Sequence, residues 1–329
     1  MPIFDNHGRP INYVRLAVTD RCNLRCFYCM PAEGIKYVPR KDLLTYEEME
    51  RLIRLLAEMG VSKVRITGGE PFVRRDLVDF LYRVHEIEGI RDVHLTTNGV
   101  LTKRYIPDLV KMGIASVNLS LDTLDRQRFF EITRRDEFPK VLDCLHALIE
   151  AGISTKINAV IMAGKNTEDI LPLADFTQNH PVGVRYIEEM PFNGNGANYA
   201  KLHWNHKRIL EKLKEKYPHL QKIDDGPHST SNNYQVPGHQ GTLGIIAAFT
   251  RTFCGTCNRI RVTAKGTLKT CLYDDGVLDL REIIRTEKSD ESLRQALLQA
   301  FGNRARNGFE AEKRRTSQEV SESMSTIGG

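Results

Sequence analysis

The chain has 329 residues, too many for one small core and enough for a large α/β domain with an appendage. Hydrophobic residues make up 41% and charged residues 27%, an ordinary globular balance, and no apolar run approaches the ~20 residues of a bilayer span. The net charge of +5 is mild, and the basic runs Arg74–Arg75, Arg134–Arg135 and Lys313–Arg315 are short and separated, which reads as solvated surface and not as a nucleic-acid stripe. The opening "MPIFDNHGRP" lacks the basic-then-apolar pattern of a signal peptide, so the expected location is the cytoplasm, where thiols stay reduced. Seven cysteines there point to metal or redox chemistry before disulfides.

Strand and helix patterns alternate from residue 13 to 191. The strand candidates are "YVRLAVTD", "SKVRITGG", "DVHLTTNG", "ASVNLSLD", "STKINAVIM" and "VGVRYIEEM". The first intervening helix places Met49, Leu52, Ile53, Leu56 and Met59 on one face, with Thr45 and Glu48 as a capping box. The second does the same with Leu77, Phe80, Leu81, Val84 and Ile87. Right-handed crossovers make such units a parallel sheet with helices outside; a closed barrel needs eight, so six predict an incomplete (βα)6 barrel of the triosephosphate-isomerase type.

After Met190 the pattern changes. "FNGNGANYAK" reads as a loop, 204–217 as a helix, and "DDGPHSTSNNYQVPGHQG" as turn-rich and polar. Strand-like "TLGIIAAFT" follows, then a hairpin, "RIRVTAKGTLKTCLY", turning at Lys265–Gly266, and two short helices at about 278–286 and 290–303. The last stretch, "EAEKRRTSQEVSESMSTIGG", reads as polar and mobile. The expected division is a barrel over 1–225 and an α+β extension over 226–329.

Cys22, Cys26 and Cys29 follow the first strand at C-x3-C-x2-C. Three thiolates suit an iron–sulfur cluster or zinc, but leave either one ligand short. A four-iron cluster so held keeps one iron open to a small molecule. "TGGEP" (Thr67–Pro71) ends the second strand; Gly68 and Gly69 permit close backbone approach to a ligand, and Glu70 offers an acceptor for an ammonium group. Cys254, Cys257 and Cys271 form a second incomplete triad, C-x2-C-x13-C, while Cys144 sits among apolar residues as core filler.

With "CNLRCFYC" one strand before "TGGEP", the chain resembles the radical S-adenosylmethionine superfamily. The second triad followed by "NRIR", together with "KVRITGGEPFVRRD", "NLSLDTLD", "INAVIM" and the terminal "IGG", narrows the resemblance to the GTP 3′,8-cyclase family of molybdenum cofactor biosynthesis. The resemblance implies two [4Fe-4S] clusters, on Cys22, Cys26, Cys29 and on Cys254, Cys257, Cys271. It also implies S-adenosylmethionine held by Tyr28, Gly69, Glu70, Ser120 and Met190. Reductive cleavage of that cofactor would give a 5′-deoxyadenosyl radical that removes the ribose 3′ hydrogen of GTP.

Arg15, Lys63, Arg65, Thr96, Lys156 and Arg185 lie on strand segments and jointly suit a triphosphate. By resemblance Arg259 and Arg261 also face the substrate, and Gly328–Gly329 enters the active site, whereas sequence alone favours a frayed end there. The family further implies an electron donor such as flavodoxin and passage of product to cyclic pyranopterin monophosphate synthase. No nucleic acid or membrane partner is expected, and the state is a monomer or homodimer. A peptide-maturing radical enzyme or a zinc-binding interaction protein would differ in C-terminal cysteine number or in iron content.

Overall fold

Along the six strands before Met190, residues bound for the core mostly alternate with polar ones, so that one face of the sheet is apolar and the other is left for chemistry. The computed structural model describes residues 3–190, 202–287, 289–316 and 323–328. Its strands are β1 (Tyr13–Ala17), β2 (Lys63–Thr67), β3 (Asp92–Thr97), β4 (Ser116–Ser120), β5 (Thr155–Ile161), β6 (Gly183–Glu188), β7 (Gln221–Lys222), β8 (Ser231–Gln235), β9 (Thr242–Ile246), β10 (Arg259–Val262), β11 (Thr267–Lys269) and β12 (Leu278–Asp279). All six strands expected before Met190 are present, and the architecture is α/β with a mostly parallel sheet.

The chain forms two compact units, each discontinuous in sequence. The first comprises Met1–Asn23, Ile35–Leu95 and Cys254–Gly329; the second comprises Leu24–Gly34 and Thr96–Phe253. In the first unit β10, β1, β2 and β3 (as far as Leu95) run parallel in that order, and β10 continues antiparallel into β11 and β12. Val14, Leu16, Val64, Ile66, Ile260 and Val262 are buried on one face. Helices α1 (Tyr46–Glu58) and α2 (Leu77–His85) bury the expected apolar stripes, with Tyr46 stacked on Phe80 at 4.5 Å. The capping box is formed: Glu48 N donates to Thr45 Oγ1 at 3.2 Å, and Thr45 N donates to Glu48 Oε2 at 2.7 Å.

In the second unit β4, β5, β6 and β9 are parallel, and β9 continues antiparallel into β8 and β7. Its helices are α3 (Ile106–Lys111), α4 (Arg126–Thr133), α5 (Phe138–Glu150), α6 (Ile170–Phe176) and α7 (His206–Lys216). Leu119, Ile157, Val184 and Ile245 fill the core, and the wholly buried Tyr186 donates its hydroxyl to Ile170 O at 2.8 Å. Cys144 is buried in α5, as core filler should be.

Several expectations are corrected. The polar run 224–241 contains β8, whose backbone pairs with β9 and with β7, so its composition hid a strand. Arg74 is not solvated surface: it lies 4.1 Å from the Tyr46 ring centroid and donates to Val18 O and Leu44 O. Arg134 donates to Arg25 O and Met30 O, and the Arg315 side chain, 4% exposed, pairs with Asp275 at 2.8 Å.

After α8 (Leu280–Thr286), α9 (Asp290–Gly302) and α10 (Gly308–Lys313), α11 (Met324–Ile327) is ordered by its Ser323 cap and the burial of Ile327. The stretch read as mobile therefore includes buried structure. The loop expected at 192–201 and Gly329 lie outside the described residues. Among the described residues no helix is long and apolar enough to cross a membrane.

Thr45→Ala is expected to lower stability by about 1 kcal/mol through loss of the α1 cap, read as a reduced urea midpoint at unchanged slope.

Candidate functional site

Parallel strands in register set same-face residues side by side about 4.8 Å apart. In the first unit Arg261, Arg15 and Arg65 pair across β10, β1 and β2, with the buried Lys269 opposite Arg261 on β11. One step back, Arg259, Tyr13 and Lys63 form a second row. The five predicted cationic residues of this unit, Arg15, Lys63, Arg65, Arg259 and Arg261, are thus brought together.

Arg65 donates to the Tyr13 hydroxyl at 2.6 Å and to Leu95 O at 3.0 Å, and Lys63 Nζ lies 5.4 Å from the Tyr13 ring centroid. The Arg15 Nε is buried with no hydrogen-bond partner. Burial, then the neighbouring Arg261, hold Arg15 well below the usual guanidinium range. Burial likewise lowers Arg261, with Arg259 adding to it. Burial alone would raise the Tyr13 phenol, but Arg65, Arg15 and Arg259 outweigh it and bring it down to about 8.

The glycine turn makes a close approach within the protein as well. A side chain at Gly68 would meet Thr19 O at 2.5 Å and one at Gly69 would meet Arg21 O at 2.3 Å, so the close approach is to the segment before Cys22. Gly69 N and Glu70 N donate to Thr19 O and Arg21 O, both at 2.8 Å. Gly68 has φ of 153°, a conformation favouring glycine. Glu70 is wholly buried and accepts from Phe72 N at 3.1 Å. The described part of the tail reaches the same strand ends: a Cβ on Gly328 would lie 3.2 Å from Ala17 Cβ and from Thr67 Cγ2, and Gly328 O accepts from Arg261 Nη1 at 3.4 Å. The frayed end expected from sequence alone is thereby corrected at Gly328.

The second unit holds Cys26, Cys29, Tyr28, Thr96, Ser120, Lys156, Arg185 and Met190. The cysteine loop is tied to α4 by Arg25 N to Thr133 O and Phe27 N to Ile132 O, while Cys29 N and Met30 N both donate to Cys26 O. Tyr28 donates to Asp122 Oδ2 at 2.9 Å, and Asp122 Oδ1 accepts from Val160 N at 2.8 Å. Burial pushes Asp122 up to about 6; burial, Asp122, Cys26 and Cys29 push Tyr28 well above its ordinary value. Ser120, Asn158, Arg185 and Gly244 pair in one row across β4, β5, β6 and β9; the absent side chain at Gly244 leaves room first for Ser231, whose Oγ would lie 2.3 Å from a Cβ there, and then for Asn233 and Arg185. Lys156 stands between Asn118 and Gly183 in the row before. Thr96 Oγ1, Asn118 Oδ1 and Asn158 Oδ1 are buried without hydrogen-bond partners, a costly arrangement that a polar ligand would relieve.

Cys254, Cys257 and Cys271 lie in the first unit, all as free thiols. Burial raises Cys257, but Arg259 and Arg304 outweigh it and bring the thiol down to about 6. Burial pushes Cys271 up to about 11, with Asp274, Cys257 and Cys254 adding to the effect. Among the described residues no three His, Cys, Asp or Glu side chains form a group that could hold a metal ion.

Residues 16–177 match the Radical SAM superfamily, and residues 182–309 match Molybdenum Cofactor Synthesis C. The chain is 42% identical to the GTP 3′,8-cyclase of Geobacter sulfurreducens, with 100% of each chain covered. The chain belongs to the GTP 3′,8-cyclase family of radical SAM proteins. It is also 42% identical to molybdenum cofactor biosynthesis protein 1 of Bos taurus over 92% of this chain and 48% of that protein. The chain therefore spans about half the length of that relative. SuiB of Streptococcus suis, solved bound to S-adenosylmethionine, shares the fold with a TM-score of 0.62 at 19% identity, over 88% of this chain and 69% of that one.

Sequence reasoning missed Tyr13, Asn118, Asp122, Asn158 and Lys269. The signal was there: each lies two residues from a predicted site residue along a strand segment, and so on the same face of it. Ultraviolet titration of the substrate-free chain is expected to show a tyrosinate step near pH 8 that Tyr13→Phe removes. Added inorganic triphosphate should move the step to higher pH, because an anion among the arginines offsets the charge that favours tyrosinate.

Proposed function

We propose that the chain is a radical enzyme that cyclises GTP to (8S)-3′,8-cyclo-7,8-dihydroguanosine 5′-triphosphate, the first step of molybdenum cofactor biosynthesis. The observation that carries this reading is the arginine row. Arg261, Arg15 and Arg65 stand abreast, and Arg15, with an unpartnered buried Nε, feels three arginines and one phenol as its main charged neighbours. Such a row is costly until an extended polyanion lies across it, and a triphosphate has several oxygens to offer. Lys63, Thr96, Lys156 and Arg185 are assigned to the same substrate, with Arg259 and Arg261 beside the second triad.

Cys22, Cys26 and Cys29 would hold one [4Fe-4S] cluster, and Cys254, Cys257 and Cys271 another. The donor set suits clusters: all six thiols are half-buried and free of disulfides, and cysteine thiolate is the ligand that iron–sulfur clusters take. When bound, the first cluster and S-adenosylmethionine supply the radical that removes the ribose 3′ hydrogen. Glu70 is assigned to the cofactor's ammonium group, and Gly69, Tyr28, Ser120 and Met190 to the rest of it. The remaining work of the side chains is positional: the cations fix the triphosphate so that C3′ faces C8 of the base, and the buried surroundings exclude water.

The reading includes an incomplete (βα)6 barrel over 1–225, a cluster-bearing extension over 226–329, an electron donor such as flavodoxin, and hand-over of product to cyclic pyranopterin monophosphate synthase.

Anaerobic turnover with GTP, S-adenosylmethionine and dithionite, followed by mass spectrometry, tests it. Cys26→Ala is expected to abolish 5′-deoxyadenosine release. Cys257→Ala and Arg261→Ala are expected to keep some release while losing cyclised product, the arginine variant by about a hundredfold through misplacement of the ribose. Identical behaviour of the Cys26 and Cys257 variants would overturn the assignment of the two triads.

A further inference from the structure

Arg304 was singled out by no motif, yet it is 2% exposed and directs its whole guanidinium at the second triad. Its Nε donates to Thr270 O at 2.9 Å, next to Cys271. Its Nη1 donates to Cys257 O at 3.0 Å and to Asp5 Oδ2 at 3.2 Å. Its Nη2 donates to Arg259 O at 2.7 Å and to Cys257 Sγ at 3.3 Å. A guanidinium has five N–H donors, and here each has an acceptor. Arg9 completes the arrangement, donating to Asp5 Oδ2 at 2.7 Å, Cys254 O at 3.1 Å, Arg306 O at 2.7 Å and Ala305 O at 2.8 Å.

The charges do not balance. Asp5, whose side chain is 0% exposed, is the one carboxylate in ion-pair reach of Arg9 or Arg304 among the described residues. Two buried guanidinium groups therefore share one negative charge, and a buried excess charge is costly unless another anion faces it. The group that faces it is the sulfur of Cys257. A purely structural clamp on the hairpin accounts for the carbonyl contacts but not for the N–H that Arg304 directs at the Cys257 sulfur.

We infer that Arg304, held by Asp5 and Arg9, is a positioning residue for the second centre: it fixes Cys254, Cys257 and Cys271 by their backbone and donates an N–H to the ligating sulfur of Cys257. This rests on the reading of that triad as a cluster site. Hydrogen bonds and positive charge at cluster sulfurs favour the reduced, more negative state, so Arg304 makes the second centre easier to reduce.

The test uses the full chain with Cys22, Cys26 and Cys29 replaced by alanine, so that only the second triad can be loaded with iron and sulfide. Iron per chain and the midpoint potential, followed by electron paramagnetic resonance, are measured in this parent, in Arg304→Lys, Arg304→Met and Asp5→Asn. Both Arg304 variants are expected to bind iron 10- to 100-fold more weakly and to shift the potential negative, the methionine variant further. Asp5→Asn, which leaves the cations unopposed, should shift it positive. If Arg304→Met does not fold by circular dichroism, Arg304→Lys decides, because it keeps the charge opposite Asp5. Unchanged potential and iron in the folded variants overturn the inference alone. A parent that takes up no iron removes the cluster reading as well, and the two failures are thereby told apart.

Discussion

Like charges on adjacent parallel strands are the constraint that organises the first unit. Register alone puts Arg261, Arg15 and Arg65 in one line, and no rotamer choice can carry three guanidinium groups far apart across strands so closely spaced. The fold tolerates this because the opposite face of the same strands is wholly apolar and buried, so that packing offsets repulsion. Tyr13 softens it further by accepting a hydrogen bond from Arg65 and by offering its ring to Lys63. What is left over is a strip of positive potential at the sheet's polar face, cheap to neutralise with a polyanion and expensive to leave alone.

The two cysteine triads are supported differently. Cys26 and Cys29 sit on a tight turn whose neighbours are tied to α4 and to Arg134, while Cys22 follows a segment lying directly against the glycine turn after β2. Cys254, Cys257 and Cys271 are instead gripped through their carbonyls and neighbouring carbonyls by buried arginines that come from both extremes of the described chain. In each case the backbone is fixed before the thiol, which is how ligand geometry is made reproducible.

Much of this was legible beforehand, and for identifiable reasons. The six early strands and the stripes of α1 and α2 follow from periodicity, and the Thr45–Glu48 box from local capping chemistry. The cysteine triads and the arginine pair Arg259 and Arg261 were marked by spacing. Arg304 and Asp5 were not legible, because 299 residues separate two side chains that meet only through tertiary packing. Strand β8 was hidden for another reason: a strand rich in serine and asparagine carries no hydrophobic alternation, and its pairing depends on β9 and β7. The packing of Gly68 and Gly69 against Thr19 and Arg21 was not legible, because sequence shows that a close approach is possible but not every segment that approaches. Arg74 and Arg134 were misread because a charge run reveals nothing of the carbonyls folded over it.

The discontinuity of the first unit has a bearing on how the chain is made. β1 leaves the ribosome well before one of its two neighbours, β10, which begins at residue 259. Until then β1 can pair with β2 on one side only, and its other edge stays open through the synthesis of the whole second unit. An unpaired edge of this kind is a template for wrong partners. A charge on such a strand, as Arg15 is on β1, is the general means by which open edges resist that pairing.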